Sequence, residues 1–145
     1  MPTAAPEKLG STADTRGFRV QVTPAFDAQQ SDETARRFVH QYHVEITNVD
    51  GPSATLRARH WIIIDGHGRR EEVKGEGVVG RTPRLQPGQT FSYRSYCPLP
   101  TAWGTMEGTY QLQGDDGEWF EIAIGRFYLV APTSRTPLPA PANAS

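Results

Sequence analysis

Residues 60–80 read HWIIIDGHGRREEVKGEGVVG, and the fold turns on whether the glycines at the end of this stretch belong to a cofactor loop or to a hairpin. An apolar run, HWIIID, leads into a tight turn at Gly66-His67-Gly68. A charged run, RREEVK, comes next, and then GEGVVG at 75–80. The last six residues spell G-x-G-x-x-G, the dinucleotide-binding fingerprint. That motif works only with a helix directly behind it, because the diphosphate rests on the N–H groups of the helix's first turn. Residues 81–91 read RTPRLQPGQTF, and no helix runs through Pro83 and Pro87. The stretch therefore reads as strand, turn, strand and loop.

Outward from it the chain alternates. Phe18, Val20 and Val22 share one parity, and so do Phe38, His40, Tyr42, Val44 and Ile46. Period-two patterning of this kind marks half-buried strands. Within 54–65 the pattern places Leu56, Ala58, Ile62 and Ile64 inward and Arg57 and Arg59 outward. Trp61 and Ile63 then fall on the outer face, so either another segment covers them or a bulge shifts the parity. Downstream, Phe91, Tyr93, Ser95 and Cys97 alternate up to Pro98, and Met106, Gly108, Tyr110 and Leu112 do the same. Phe120, Ile122 and Ile124 change parity to Phe127 and Leu129 across Gly125, as a bulge there requires.

About seven short strands separated by turn residues, with no capped helical pattern, predict an all-β fold. Its form is an antiparallel β-sandwich of the immunoglobulin or fibronectin type III kind. The expected organisation is a disordered tail over 1–16, one domain over 17–130, and a disordered Pro/Ala-rich tail over 131–145. Pro24 to Ala35 reads as an exposed loop.

Composition removes several function classes. The net charge of -1 over 145 residues supplies no field for nucleic acid or for an anionic membrane surface. The longest strongly apolar run is Trp61–Ile64, far short of the about 20 residues of a membrane span. Cys97 is the sole cysteine, which excludes an intrachain disulfide and a cysteine-based zinc site and suits a reducing, cytoplasmic setting. Its alternation with Phe91 and Tyr93 predicts a buried, inert thiol. No nucleophile, base and orienting group stand together, so no enzyme is expected.

Several segments in combination resemble the ApaG family. They are Arg59-His60-Trp61 leading to Ile64-Asp65, then Glu71-Glu72-Val73 with Gly75-Glu76-Gly77-Val78-Val79-Gly80. Pro83-x-Leu85-x-Pro87-Gly88, Phe91-x-Tyr93 and Gly104-Thr105-Met106-x-Gly108-x-Tyr110-Gln111 complete the set. The likeness covers roughly 20–129. It implies a fibronectin-like sandwich and an association with cobalt and magnesium efflux. Related domains in eukaryotic F-box and polymerase-interacting proteins imply protein binding. The family brings no agreed catalytic residues.

Three sets of residues are candidates for chemistry. Gly75, Gly77 and Gly80, with Arg81 and Arg84 beyond them, form a phosphate site if their N–H groups make an anion nest; otherwise they serve an inter-strand turn. Trp61, Trp103 and Trp119 are candidate partner-binding residues, since exposed aromatics anchor interfaces. His43 with Glu45, and Asp115, Asp116 and Glu118, are too few or too ordinary as ligands, so no metal site is expected. His60 is expected to satisfy its nitrogens within the core. The functional expectation is a non-enzymatic, cytoplasmic interaction module, indirectly linked to cobalt and magnesium homeostasis, with a protein partner or a second copy of the chain. The alternative is a small-molecule binder holding a nucleotide or pyrophosphate at GEGVVG. Neither a cofactor nor a nucleic-acid partner is expected.

Overall fold

Period-two alternation carries the long strands of the structure, a computed structural model that describes residues 9–132. Nine strands run in the order β1 (Ser11–Thr15), β2 (Phe18–Phe26), β3 (Phe38–Asn48), β4 (Ala54–Asp65), β5 (Arg70–Glu76), β6 (Arg84–Leu85), β7 (Thr90–Leu99), β8 (Trp103–Gly114) and β9 (Trp119–Val130). One sheet has the order β1-β2-β3-β7. The other has the order β5-β4-β8-β9, with the short β6 also on β4, and all pairings are antiparallel. The antiparallel sandwich read from the sequence is therefore the architecture. Two strands exceed the expected count, β1 and β6.

β1 corrects the assignment of 1–16 to a tail. Ser11 and Thr15 pair with Val22 and Phe18 across the turn at Arg16-Gly17, where φ is 55° and 85°. Composition concealed the strand because its residues are small and polar and borrow order from β2. Residues 1–8 and 133–145, the rest of the expected tails, lie outside the described residues.

Pro24 and Pro98, expected to end strands, lie inside them instead. Pro24 pairs with Tyr42 beyond Ser11, the first residue of β1, where no β1 residue needs its N–H. Pro98 pairs with Val39 on β7, the edge of its sheet. Edge positions tolerate a missing donor.

Two bulges set which side chains enter the core. In β8 and β9, Met106 pairs with Phe127 but Gly108 pairs with Ile124, so β9 carries one extra residue at Gly125–Arg126. That is the parity change the sequence displayed. The second bulge decides the alternative left open at Trp61. Leu56 pairs with Leu112 and Ala58 with Gln111, so Arg57 is the extra residue and every later side chain of β4 changes face. Arg59, Trp61 and Ile63 turn inward, opposite Tyr110, Gly108 and Met106, while Ile62 and Ile64 turn outward. The inward assignment of Ala58, Ile62 and Ile64 is thus corrected.

Trp61 is 3% exposed and sits at the centre of the core. Its ring meets Tyr42 at 5.4 Å, Phe127 at 5.9 Å and Tyr110 at 6.3 Å between centroids, all edge-on. Burying an indole of this size is worth about 4–6 kcal/mol of transfer free energy. The hydroxyls of Tyr93, on one sheet, and Tyr110, on the other, meet at 2.5 Å. Burial raises both phenols, and each supplies the other's hydrogen-bonding partner.

The connection after β3 is held by one side chain. Asn48 is fully buried; its Nδ2 donates to the carbonyls of Pro52 and Leu85, each at 3.0 Å, and its Oδ1 accepts the Gly51 N–H at 2.7 Å. β6 is thereby tied beneath the turn.

Candidate functional site

The glycine loop folds as a hairpin turn. Val78 and Arg81 exchange both backbone hydrogen bonds, at 2.8 and 2.9 Å, around Val79 (φ 43°) and Gly80 (φ 77°). Two consecutive left-handed residues inside such a pair make a type I′ turn. No helix begins at Val78–Arg81. The N–H groups of Gly77, Val78 and Arg81 donate to the carbonyls of Arg57, Arg81 and Val78, so these donors are already committed within the chain. Arg59 Nη1 donates to the carbonyls of Glu76 and Gly77 at 2.9 and 2.8 Å. Gly75 lies within β5, opposite Arg59. The three candidate glycines therefore serve different ends: Gly75 makes room for a guanidinium, while Gly77 and Gly80 supply positive φ.

The three tryptophans separate completely. Trp61 is in the core, which removes it as a partner-binding residue. Trp103 and Trp119 are 49% and 59% exposed on the outer face of the same sheet. They stand at opposite ends: Trp103 pairs with Val130, the last residue of β9, whereas Trp119 is its first. Eleven residues of strand place them roughly 35 Å apart.

Around Trp103 the outer face is apolar. Val130 is its direct cross-strand partner, Tyr128 lies two residues back on the same face, and Thr105 joins Tyr128 to the outward Ile64. Tyr128 and Val130 are both exposed. The strip ends at an ion pair in which Arg126 Nε donates to Glu107 at 2.7 Å.

Trp103 is held from below. A side chain at Gly66 would come within 2.8 Å of its indole nitrogen, so the ring leans across that glycine. Thr101 Oγ1 donates to the Trp103 carbonyl at 2.7 Å and accepts the Gly66 N–H at 2.8 Å. Asp65, also buried, closes the turn by accepting the His67 and Arg69 N–H groups at 2.8 and 3.0 Å. Burial would raise the Asp65 carboxyl, but those two N–H groups and the nearby positive charge outweigh it and hold the group below its usual range. An aromatic fixed in this way loses little freedom on binding.

Two of the remaining candidates are already engaged. Asp115 accepts both arms of Arg84, at 3.0 and 2.5 Å, and Asp116 caps the Glu118 N–H at 3.0 Å. Among the described residues no group of three or more His, Cys, Asp or Glu side chains could hold a metal ion. His60 is on the outer face rather than in the core, where its Nε2 meets Glu72 at 2.9 Å; Arg70 pairs with the other oxygen of that carboxylate. Burial pushes the Cys97 thiol up to about 12, so it remains protonated at neutral pH. No helix among the described residues is long and apolar enough to cross a membrane.

Sequence reasoning singled out Trp103 but missed Tyr128, Val130 and Ile64. The parity of β9 contained the first two, while Ile64 was hidden by the bulge at Arg57.

The family model and the curated relatives agree on one family. The ApaG domain model matches residues 28–114. Protein ApaG of Methylobacterium sp. (strain 4-46) is 52% identical over 123 residues, covering 85% of this chain and 95% of that protein. Protein ApaG of Anaeromyxobacter dehalogenans (strain 2CP-C) is 46% identical over 124 residues, covering 86% and 98%. Among solved structures, the crystal structure reported as an ApaA protein from Bordetella pertussis aligns with a TM-score of 0.76 and 49% identity. It covers 79% of this chain and 94% of that one.

Proposed function

The chain belongs to the ApaG family, and from that premise we propose that it works as a non-enzymatic, cytoplasmic protein-interaction module whose contact surface is the Trp103 strip. The observation that carries this reading is the pre-set Trp103, leaning on Gly66 and flanked on one outer face by Val130, Tyr128 and Ile64. An aromatic anchor with a charged rim is how hot spots in protein interfaces are built. Arg126 and Glu107 supply that rim. A part in cobalt and magnesium handling, which the family resemblance brings, is then exercised through the partner and not through an ion site on this chain.

The test is quantitative affinity capture from lysate with the wild type, with Trp103→Ser/Val130→Ser, and with Trp119→Ser as the control at the far end. Circular dichroism confirms that each variant is folded. Proteins lost with the double variant and retained by the control support the reading. Equal recovery on all three baits overturns it.

The alternative of a nucleotide at GEGVVG keeps the positive-φ loop in its favour but has the commitments of Gly77, Val78 and Arg81 against it. Amide shifts at Glu76–Gly80 on titration with ATP decide for it, and their absence decides against it.

A further inference from the structure

The two long sides of the sandwich differ. On one side β1 reaches over to β9: Ser11 Oγ donates to the Gly125 carbonyl at 2.7 Å, and the Ala123 N–H donates to Thr15 Oγ1 at 3.1 Å. On the other, the edge strands β5 and β7 leave a cleft of about 290 Å³ between the sheets. Its volume lies at the lower end of the ~300–1,000 Å³ range of ligand pockets. Ser95 on β7 helps to open it, since it contributes little bulk to the inner face.

Its walls are mixed: Trp61, Ile63 and Met106 with Val73 of β5, and Cys97 opposite, form an apolar part, and Tyr42, Ser95, Glu71 and Arg59 form a polar one. Beside the apolar part of the cleft projects the cation of Arg59. Arg59 is turned inward by the bulge at Arg57, and its Nη1 is engaged on the Glu76 and Gly77 carbonyls. Among the described residues no carboxylate lies within ion-pair distance of it, and its Nε and Nη2 donate to no described residue. The two carbonyls that hold this guanidinium are neutral, so it has no counter-ion among the described residues.

Tyr42 lines the same cleft and brings a hydroxyl beside Ser95. Burial raises the Tyr42 phenol, so it remains a donor throughout the neutral range; Ser95 and Arg59 only moderate that rise. Glu71 lines the cleft too, four residues from Gly75 along β5 and so roughly 13 Å away. It places a negative charge at the end remote from Arg59.

We propose that the β5–β7 cleft binds a small monocarboxylate with an apolar body. The acid is held by the Nε–Nη2 fork of Arg59, and the hydrocarbon lies against Trp61, Ile63, Val73 and Met106. A planar fork suits a carboxylate because two parallel N–H bonds are made at once. Glu71 repels a second acid group at the distal end, which disfavours dicarboxylates of the same length. The cleft lies between the sheets, away from the outer-face strip around Trp103, so the two proposals stand or fall separately.

The test uses the full chain and three probes: 3-phenylpropionate, its primary amide, and a phenylene dicarboxylate of similar length. Amide chemical shifts are monitored to about 10 mM ligand, a range in which millimolar binding registers. The expected result is movement at Val73–Gly75 and Ser95–Cys97 with the monoacid, and affinity lower by about tenfold or more for the amide, which cannot make the charge-assisted pair. The dicarboxylate should bind more weakly than the monoacid. Arg59→Gln should remove the preference for acid over amide, and Ser95→Phe, which fills the cleft and leaves the guanidinium in place, should remove binding altogether. If Arg59→Gln fails to fold, the acid–amide pair on the wild type and the Ser95→Phe variant still decide. Equal affinity for acid and amide, shifts confined to other surfaces, or no shifts at all overturns the proposal.

Discussion

The guanidinium of Arg59 occupies the space a side chain would take at Gly75. A methyl group built on Gly75 would lie 2.8 Å from Arg59 Cζ and 2.8 Å from Nη2. The guanidinium is not free to swing aside, because its Nη1 is bound to the Glu76 and Gly77 carbonyls. Gly75→Ala should therefore cost about 1–2 kcal/mol in urea unfolding, and less than about 0.5 kcal/mol in an Arg59→Ala background. Equal costs in the two backgrounds would mean that this contact is not what requires a glycine.

Gly77 and Gly80 both have positive φ but differ in surroundings. A methyl on Gly77 would meet the Arg81 carbonyl oxygen at 2.4 Å, whereas at Gly80 no atom of the described residues lies within 4 Å. Backbone strain alone predicts about 1 kcal/mol for Gly80→Ala, and strain plus the clash about 2–4 kcal/mol for Gly77→Ala. Asparagine, which tolerates the left-handed region, should be milder still at Gly80. The order of the midpoints of thermal unfolding checks all three.

His40 predicts a pH dependence. It is 1% exposed, its ring packs edge-on to Phe26 at 5.3 Å, and its Nε2 has no hydrogen-bond partner among the described residues. Burial lowers its pKa from 6.5 to about 4, since the charged imidazolium finds no solvation there. Below pH 6.5 the unfolded chain takes up a proton that the folded state refuses until about pH 4. The stabilisation is thus complete above pH 6.5 and is lost as the pH falls toward 4, by about 3 kcal/mol in total. Subtracting the stability profile of His40→Met from that of the wild type isolates this contribution. A flat difference between pH 7 and 4 would refute it.

The tryptophans should answer to opposite tests. Trp61→Ala removes the centre of the core and should cost about 3–5 kcal/mol. Trp103→Ala and Trp119→Ala remove half-exposed rings and should change stability by less than about 1 kcal/mol. Iodide should quench the emission of the two exposed tryptophans and leave Trp61, 3% exposed, untouched. Quenching of all three would contradict the placement of Trp61.

How much was legible in the residues varies by element. The alternation in β3 needed no help, because one face of five apolar or aromatic side chains admits one register. The bulge at Gly125–Arg126 also showed in the sequence, as a parity change with inward residues on both sides of it. At Arg57 no such mark exists: Leu56, Trp61, Ile62, Ile63 and Ile64 fill both parities, so either face is apolar enough to be buried. β1 was invisible because Ser11, Thr12, Ala13, Asp14 and Thr15 carry no apolar alternation and pair only where β2 offers them a ladder.

The chain alone determined the layered β architecture and excluded a helix behind GEGVVG, because period-two burial and proline geometry act over a few residues and are written locally. Tertiary structure alone decided the face that Arg59 and Trp61 occupy and the wide separation of Trp103 from Trp119. It also decided the opening between β5 and β7. Those depend on which strand lies opposite which, and a one-residue slip in a pairing exchanges core for surface along the whole strand.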